Sequence, residues 1–127
     1  MGEVVLDASA VLAVLLGEPG AEAVAPRLAH ARVSAVNYSE VLARAARLCG
    51  SLEEAKRRVD RHGLTVVPFD AAQAVAVAAL VPATREFGLS LADRACLSLG
   101  LISGLKVLTA DRAWGDLDLS VTVEVIR

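Results

Sequence analysis

The chain of 127 residues is long enough to bury the core of one domain, so we predict a single domain over residues 1–127. Hydrophobic residues make up 55% of the chain but aromatic residues only 3%, which argues against recognition of nucleic-acid bases mainly by aromatic stacking. The net charge of −2 excludes a broad basic surface for nucleic acid, so any contact with phosphates has to be local or carried by metal ions.

The first predicted element is a short apolar strand at 4–6 that ends at the carboxylate of Asp7. It shows no alternation of polar and apolar residues, which is typical of a strand buried on both faces in a parallel sheet. The following segment, 8–16, is rich in Ala and Leu and predicts a buried helix. Asp7 therefore follows a parallel strand, at the edge where open α/β sheets bind their ligands.

The rest of the chain alternates between strand and helix patterns. Further strands are predicted at 33–35, 64–67, 106–109 and, at the sheet edge, 121–125. Helices are predicted at 21–29, 37–49, 51–62, 70–80 and 90–102, and Pro82 should end or kink the fifth of the six helices. This alternation predicts an α/β fold with right-handed crossovers and a mostly parallel sheet of about five strands.

The apolar run at the start of the chain is too short to span a bilayer and contains an acid, so we expect no membrane segment. Cys49 and Cys96 lack the spacing of metal ligands. We interpret them as reduced thiols in the cytoplasm.

Four acids lie just past a strand or in the first turns of a helix: Asp7, Glu40, Asp93 and Asp111. Each has a local explanation. Asp7 and Asp111 could cap the helices that follow them, and Glu40 and Asp93 stand three residues after Asn37 and Ser90, the spacing of a capping box. Because all four positions meet at one edge of a parallel sheet, the acids would repel each other unless some are protonated or a cation neutralises them.

Asp93 is the acid for which a functional role is clearest. Its helix is apolar nearly all round, apart from a narrow stripe of Ser90, Arg94 and Ser98, so we expect this acid to point into a site. A cluster of oxygen ligands without His or thiolate suits Mg²⁺ or Mn²⁺. Such ions can activate water and stabilise both oxygens at a phosphodiester that is being cleaved.

Other polar residues near the acids could assist them. Arg44 lies one turn after Glu40 and could steer a phosphate backbone, although it could equally pair with Glu40. Arg94 could contact phosphate or merely balance charge. Ser9 and Thr109 are small hydroxyls at the same edge and could orient the carboxylates.

Four segments resemble the acidic motifs of PIN-domain ribonucleases, and more narrowly those of the VapC toxins of bacterial toxin–antitoxin pairs. They are VLDASA at 5–10, NYSEV at 37–41, LSLADRAC at 89–96 and LTADRAW at 108–114, which together cover essentially the whole chain in order and spacing. The resemblance implies a three-layer α/β/α fold and a Mg²⁺- or Mn²⁺-dependent endoribonuclease. It further implies a homodimer that is inhibited by a VapB-type antitoxin.

Carried over by position, the resemblance implies that Asp7 and Asp93 are the main metal ligands. Glu40 and Asp111 would complete the acidic site, with Asp111 as a further metal ligand. Asp116 is a nearby competitor for the role of the fourth acid.

Two other functions remain as alternatives. A PIN-like fold could serve as a non-catalytic binding partner, but the retention of all four acids favours the nuclease. A phospho-acceptor signalling domain fits less well, because Asp7 has no second acid beside it and Lys106 stands at the start of its strand instead of following one.

Overall fold

The computed structural model describes residues 3–127. The strands are β1 (Val4–Leu6), β2 (Ala31–Ser34), β3 (Thr65–Val67), β4 (Lys106–Thr109) and β5 (Val123–Val125). The α-helices are α1 (Ala8–Leu16), α2 (Ala21–Val24), α3 (Ala35–Cys49), α4 (Leu52–Asp60), α5 (Ala71–Ala79), α6 (Val81–Thr84) and α7 (Leu91–Ser103). Segments of 3-10 helix cover Ala25–His30, Arg85–Phe87 and Arg112–Asp116.

The five strands form one parallel sheet in the order β3-β2-β1-β4-β5. The central strand β1 pairs with β2 on one side and with β4 on the other, and Val5 lies opposite both Arg32 and Val107. The first three strands extend the sheet in one direction, and the chain then returns across β1 to place β4 on the other side. Strand order therefore reverses between β1 and β4, and open α/β sheets generally bind their ligands at the carboxyl ends of the strands at such a point.

Hydrophobic side chains cover both faces of the sheet. Val4 and Leu6 belong to one buried cluster together with Val11 of α1, whereas Val5 belongs to a second cluster together with Leu97 of α7. Successive residues of a strand point to opposite faces, so β1 contributes to both clusters. The predicted α/β/α arrangement with a central strand buried on both sides is thereby confirmed.

The predicted boundaries of the second strand and of the third helix were wrong. The strand covers Ala31–Ser34 instead of 33–35, and α3 begins at Ala35 because the Ser34 side chain caps it by accepting a hydrogen bond from the Val36 amide at 3.3 Å. Asn37 consequently lies inside α3 and does not cap it. Glu40 is therefore not part of a capping box.

Two further boundaries differ from the sequence prediction. The helix predicted at 21–29 is α-helical only to Val24 and continues as a 3-10 helix, with Pro26 in the first turn of that segment. The edge strand begins at Val123, two residues later than predicted. The break predicted at Pro82 is confirmed, because α5 ends at Ala79 and a separate short helix follows.

Within residues 3–127, no single helix is long and apolar enough to cross a membrane. The segments 8–16 and 21–30 reach the required length only as a pair, and they are bent by 111° relative to each other.

Candidate active site

Asp7 directly follows β1, beside the carboxyl end of β4, and is only 6% exposed. Its Oδ1 accepts hydrogen bonds from the Ala10 amide at 2.9 Å and from the Ser9 hydroxyl at 2.7 Å. Its Oδ2 accepts a hydrogen bond from the Thr109 hydroxyl at 2.6 Å. The predicted cap of α1 is thus present, but the same carboxylate also joins the ends of β1 and β4.

The environment of Asp7 makes its ionised form costly. Burial raises the pKa of this carboxyl group above 3.8, and the negative charge of Asp93 raises the pKa further. The hydrogen bonds from Thr109, Ser9 and Ala10 oppose this shift without cancelling it. An added cation would favour the ionised form.

Asp111 is connected to Asp7 through Thr109. The Thr109 hydroxyl accepts a hydrogen bond from the Asp111 amide at 3.0 Å while it donates to Asp7. The Ser9 hydroxyl similarly accepts from the Ala110 amide at 2.9 Å. Asp111 caps the 3-10 segment that follows, with its Oδ1 accepting from the Ala113 amide, whereas Asp116 is exposed at the far end of that segment. Of the two competing acids, Asp111 is therefore the one attached to the network around Asp7.

Asp93 forms the capping box that its spacing predicted. The Ser90 hydroxyl accepts from the Asp93 amide at 3.1 Å, and Asp93 Oδ2 accepts from the Ser90 amide at 2.9 Å. This carboxylate thus has a structural role, yet its charge also acts on Asp7. The side chain that caps α7 therefore also lies near enough to Asp7 to affect it.

Glu40 is exposed in the second turn of α3 and is held by Asn37. The Asn37 Nδ2 donates to Glu40 Oε1 at 3.2 Å and to the Ala92 carbonyl of α7 at 3.0 Å. Ala92 immediately precedes Asp93, so this amide places Glu40 beside the first turn of α7. Sequence reasoning missed this role of Asn37, although a polar residue one turn before Glu40 on the same helical face was an available signal.

The buried thiol of Cys96 shows that three of the acids share one region. Its pKa is raised well above 9.0 by burial, and then by the negative charges of Asp7, Asp93 and Glu40. These acids come from β1, α7 and α3, and Asp111 is linked to Asp7 through Thr109. The structure therefore brings the four acids predicted from sequence to one edge of the sheet.

No basic side chain neutralises these acids within the described part of the chain. The ion pairs found there involve other acids: Glu3, Glu18, Glu54, Asp60 and Glu124. Arg94 is directed to α6, where its Nε donates to the Thr84 hydroxyl at 3.2 Å. Arg44 is exposed one turn beyond Glu40. None of the four acids is therefore part of an ion pair among residues 3–127.

The donor set fits a hard divalent cation. In residues 3–127, no three His, Cys, Asp or Glu side chains already stand in an arrangement that would hold a metal ion. However, the described hydrogen bonds of Asp93, Glu40 and Asp111 engage one carboxylate oxygen each, which leaves the other for a ligand. In addition, the buried Asn37 Oδ1 has no hydrogen-bond partner. Oxygen ligands of this kind are those that Mg²⁺ and Mn²⁺ prefer.

A parallel α/β sheet with a group of acids at its switch point defines the general class of this protein. The sequence profile of the PIN domain matches residues 4–119, and the chain therefore belongs to the PIN domain family. No curated protein gave a significant match to the chain.

Solved structures of toxin–antitoxin systems share the fold. The chain is similar to a chain of a toxin–antitoxin complex from Klebsiella pneumoniae, with 15% identity, a TM-score of 0.74 and 98% of each chain covered. A VapBC2 structure from Rickettsia felis, bound to a promoter DNA fragment, gives 14% identity and a TM-score of 0.75 over 96% of this chain and 97% of that one. A DNA-bound VapBC from Salmonella typhimurium gives 16% identity and a TM-score of 0.73 over 98% of each chain. The resemblance to VapC-type PIN domains is thereby confirmed at the level of the fold.

Proposed function

We propose that the chain is a metal-dependent endoribonuclease that hydrolyses RNA phosphodiester bonds as the toxin of a type II toxin–antitoxin pair, with residues 1–127 acting as one domain. The observation that carries this proposal is the group of four carboxylates at the switch point of a PIN fold, without a basic partner among the described residues. A purely structural role for these acids would leave their mutual repulsion unexplained.

In this proposal, Asp7, Asp93 and Asp111 hold Mg²⁺ or Mn²⁺. The bound ion would supply an activated water and stabilise the negative charge that develops on the phosphate. The Ser9 and Thr109 hydroxyls keep both oxygens of Asp7 in place for this task. They act as outer partners of a metal ligand.

Glu40 and Arg44 serve the substrate side of the site. Glu40 is exposed at the rim and held by Asn37, a position from which it can take a proton from the attacking water. Arg44 is exposed one turn further along α3 and can contact the RNA backbone. Arg94 is assigned a weaker role, because its Nε is engaged by Thr84.

We further propose a VapB-type antitoxin as the protein partner. A groove between α1, α3 and α4 has apolar walls that include Val14, Leu15 and Leu48. Arg61 lines it as well, together with Arg58, which is ion-paired with Glu54. Such a groove suits an amphipathic segment with apolar anchors and acidic flanks. The similar solved structures are described as VapBC or toxin–antitoxin complexes, which supports the same assignment.

We also propose that the chain forms a homodimer in the cytoplasm. The large apolar side chains of Val75, Leu91 and Ile102 are exposed and available for a second copy. Cys49 and Cys96 are free thiols, in keeping with a reducing compartment. Light scattering of the purified protein, with and without antitoxin, measures the oligomeric state directly.

The test of the proposed function is cleavage of a mixed pool of structured RNAs by purified, antitoxin-free protein. Reactions contain Mg²⁺, Mn²⁺ or EDTA and compare the wild type with Asp7→Asn and Asp93→Asn. Glu22→Gln is the matched control, because Glu22 is an exposed acid on α2 that takes part in none of the hydrogen bonds described for the four carboxylates. We expect cleavage that requires the metal, persists in the control and drops more than about a hundredfold in both site variants, since even outer partners of metal ligands are worth ten- to a hundredfold.

Cleavage that survives EDTA, or that survives both substitutions in folded protein, would overturn the proposal. Absence of cleavage together with intact metal binding would favour the non-catalytic binding protein.

A further inference from the structure

Asn37 is a polar residue that is buried within the first turns of α3. Its side chain is 1% exposed, and its Oδ1 is buried without a hydrogen-bond partner. Buried polar atoms are nearly always paired, so an orphaned amide oxygen calls for a specific explanation. The carboxylate network lies next to it, since Glu40 and Ala92 contact the same amide group.

The orientation of the Asn37 amide follows from its partners. Both neighbours of Nδ2, the Glu40 carboxylate and the Ala92 carbonyl, are acceptors only. Rotating the amide by half a turn would place an oxygen against two oxygens and would lose both hydrogen bonds. The amide nitrogen must therefore face α3 and α7, and the oxygen must remain the free atom.

The two hydrogen bonds connect the elements that carry two of the acids. Glu40 belongs to α3 and Ala92 to the first turn of α7, which also carries Asp93. The spacing of 55 residues between Asn37 and Ala92 makes this a tertiary contact that fixes one helix against the other.

We propose that Asn37 is a positioning residue of the acidic site: its amide nitrogen holds Glu40 against the first turn of α7 and thereby fixes the relative positions of Glu40 and Asp93 around the divalent ion. This inference rests on the proposed function, because it assumes that the acids bind such an ion. Nothing in the sequence pattern of the four acids requires this role for an amide.

The composition of the chain provides an unusually direct test. Asn37 is the only asparagine and Gln73 the only glutamine, so the protein has one side-chain amide group of each kind. The Oε1 atom of Gln73 is likewise buried and unpartnered. Gln73 lies at the start of α5, where its backbone amide donates a hydrogen bond to Asp70. In the ¹⁵N-labelled wild-type protein, both side-chain amides can therefore be followed separately by NMR while Mg²⁺ is added.

We expect the Asn37 side-chain resonances to shift with the same Kd as the heat of Mg²⁺ binding, and to stop shifting in Asp7→Asn. Calorimetry with Mn²⁺ then compares Asn37→Leu, which removes all polar atoms, with Asn37→Ser, a smaller polar variant to use if the first does not fold. Ser98→Ala is the control, since it removes another buried, unpartnered oxygen from α7. Loss of the Asn37 amide should weaken Mn²⁺ binding about tenfold or more, and the control should not.

A merely structural Asn37 would lower the melting temperature and leave the Mn²⁺ affinity unchanged. That result, or unmoved Asn37 resonances in a protein that binds Mg²⁺ through Asp7, would overturn this inference and leave the proposed function standing. Metal binding that depends on Asn37 without any RNA cleavage would support the inference and overturn the nuclease. Absence of any metal binding by the wild type would overturn both.

Discussion

The hydrogen bond from Thr109 to Asp7 offers the sharpest test of how the site is held together. Thr109 is fully buried, and its hydroxyl donates to Asp7 Oδ2 at 2.6 Å and accepts from the Asp111 amide at 3.0 Å. The variant Thr109→Val keeps the shape of the side chain, so the main change is the loss of these two interactions. A hydrogen bond to a charged group contributes about 1.5–3 kcal/mol, and we expect a loss of that size in the free energy of unfolding when Asp7 is ionised.

The size of this loss should depend on pH through Asp7. A hydroxyl binds the carboxylate more strongly than the neutral acid, and the pKa of Asp7 in the folded protein lies above 3.8 because the group is buried. The hydrogen bond from Thr109 lowers the pKa of Asp7, so its removal raises this pKa further in the variant. At pH values above the pKa of Asp7 in both proteins, the removal has the full effect. As the pH falls, Asp7 is protonated in the variant first, and the difference in stability shrinks until Asp7 is protonated in the wild type as well.

Urea denaturation of metal-free protein over a series of pH values measures both quantities. Thr122→Val is the matched control, since it makes the same substitution at an exposed position and should change stability by less than about 0.5 kcal/mol. An equal loss in both variants, or a loss in Thr109→Val that does not change with pH, would refute the described role of this hydroxyl.

Two further predictions concern the packing around α7. Gly100→Ala should lower the free energy of unfolding by up to about 2 kcal/mol, because the added Cβ would overlap Val107 Cγ2 and approach Val121 Cγ2 to 2.9 Å. This overpacking outweighs the gain in helix propensity. An unchanged or higher urea midpoint would contradict this prediction. Iodoacetamide should alkylate Cys49 in the native protein but Cys96 only after unfolding, because Cys96 is buried and its pKa is raised by burial and by the nearby acids. Mass spectrometry of the labelled peptides decides between the two sites, and native labelling of Cys96 would show that α7 opens readily.

The error at α3 shows where local patterns fall short. Ser34 and Asn37 are both good capping residues, and the sequence alone offers no reason to prefer the first. The choice is made by the sheet, because β2 pairs with β1 from Ala31 and with β3 up to Ser34, opposite Val67. Once Ser34 ends the strand, Asn37 falls inside the helix and its amide becomes available to Glu40 and α7.

The sequence by itself determined the elements that carry the acids. A continuous apolar run before Asp7 predicts a buried strand, an apolar helix after Ser90 predicts burial of α7, and the positions of the four acids after strands and in first turns can be read directly from the chain. These are local patterns, since each depends on residues within one or two turns of each other. They were enough to predict the parallel fold and to single out the four acids.

Only the tertiary structure decided how these acids work together. The reversal of strand order between β1 and β4 brings Thr109 to Asp7 across 102 residues, and the packing of α3 on α7 brings Asn37 to Ala92 across 55 residues. The tertiary structure also directs the Arg94 side chain to Thr84 and away from the acids. Such contacts depend on long-range pairing and packing, which leave no periodic signal in the sequence, and they set the charge balance of the site.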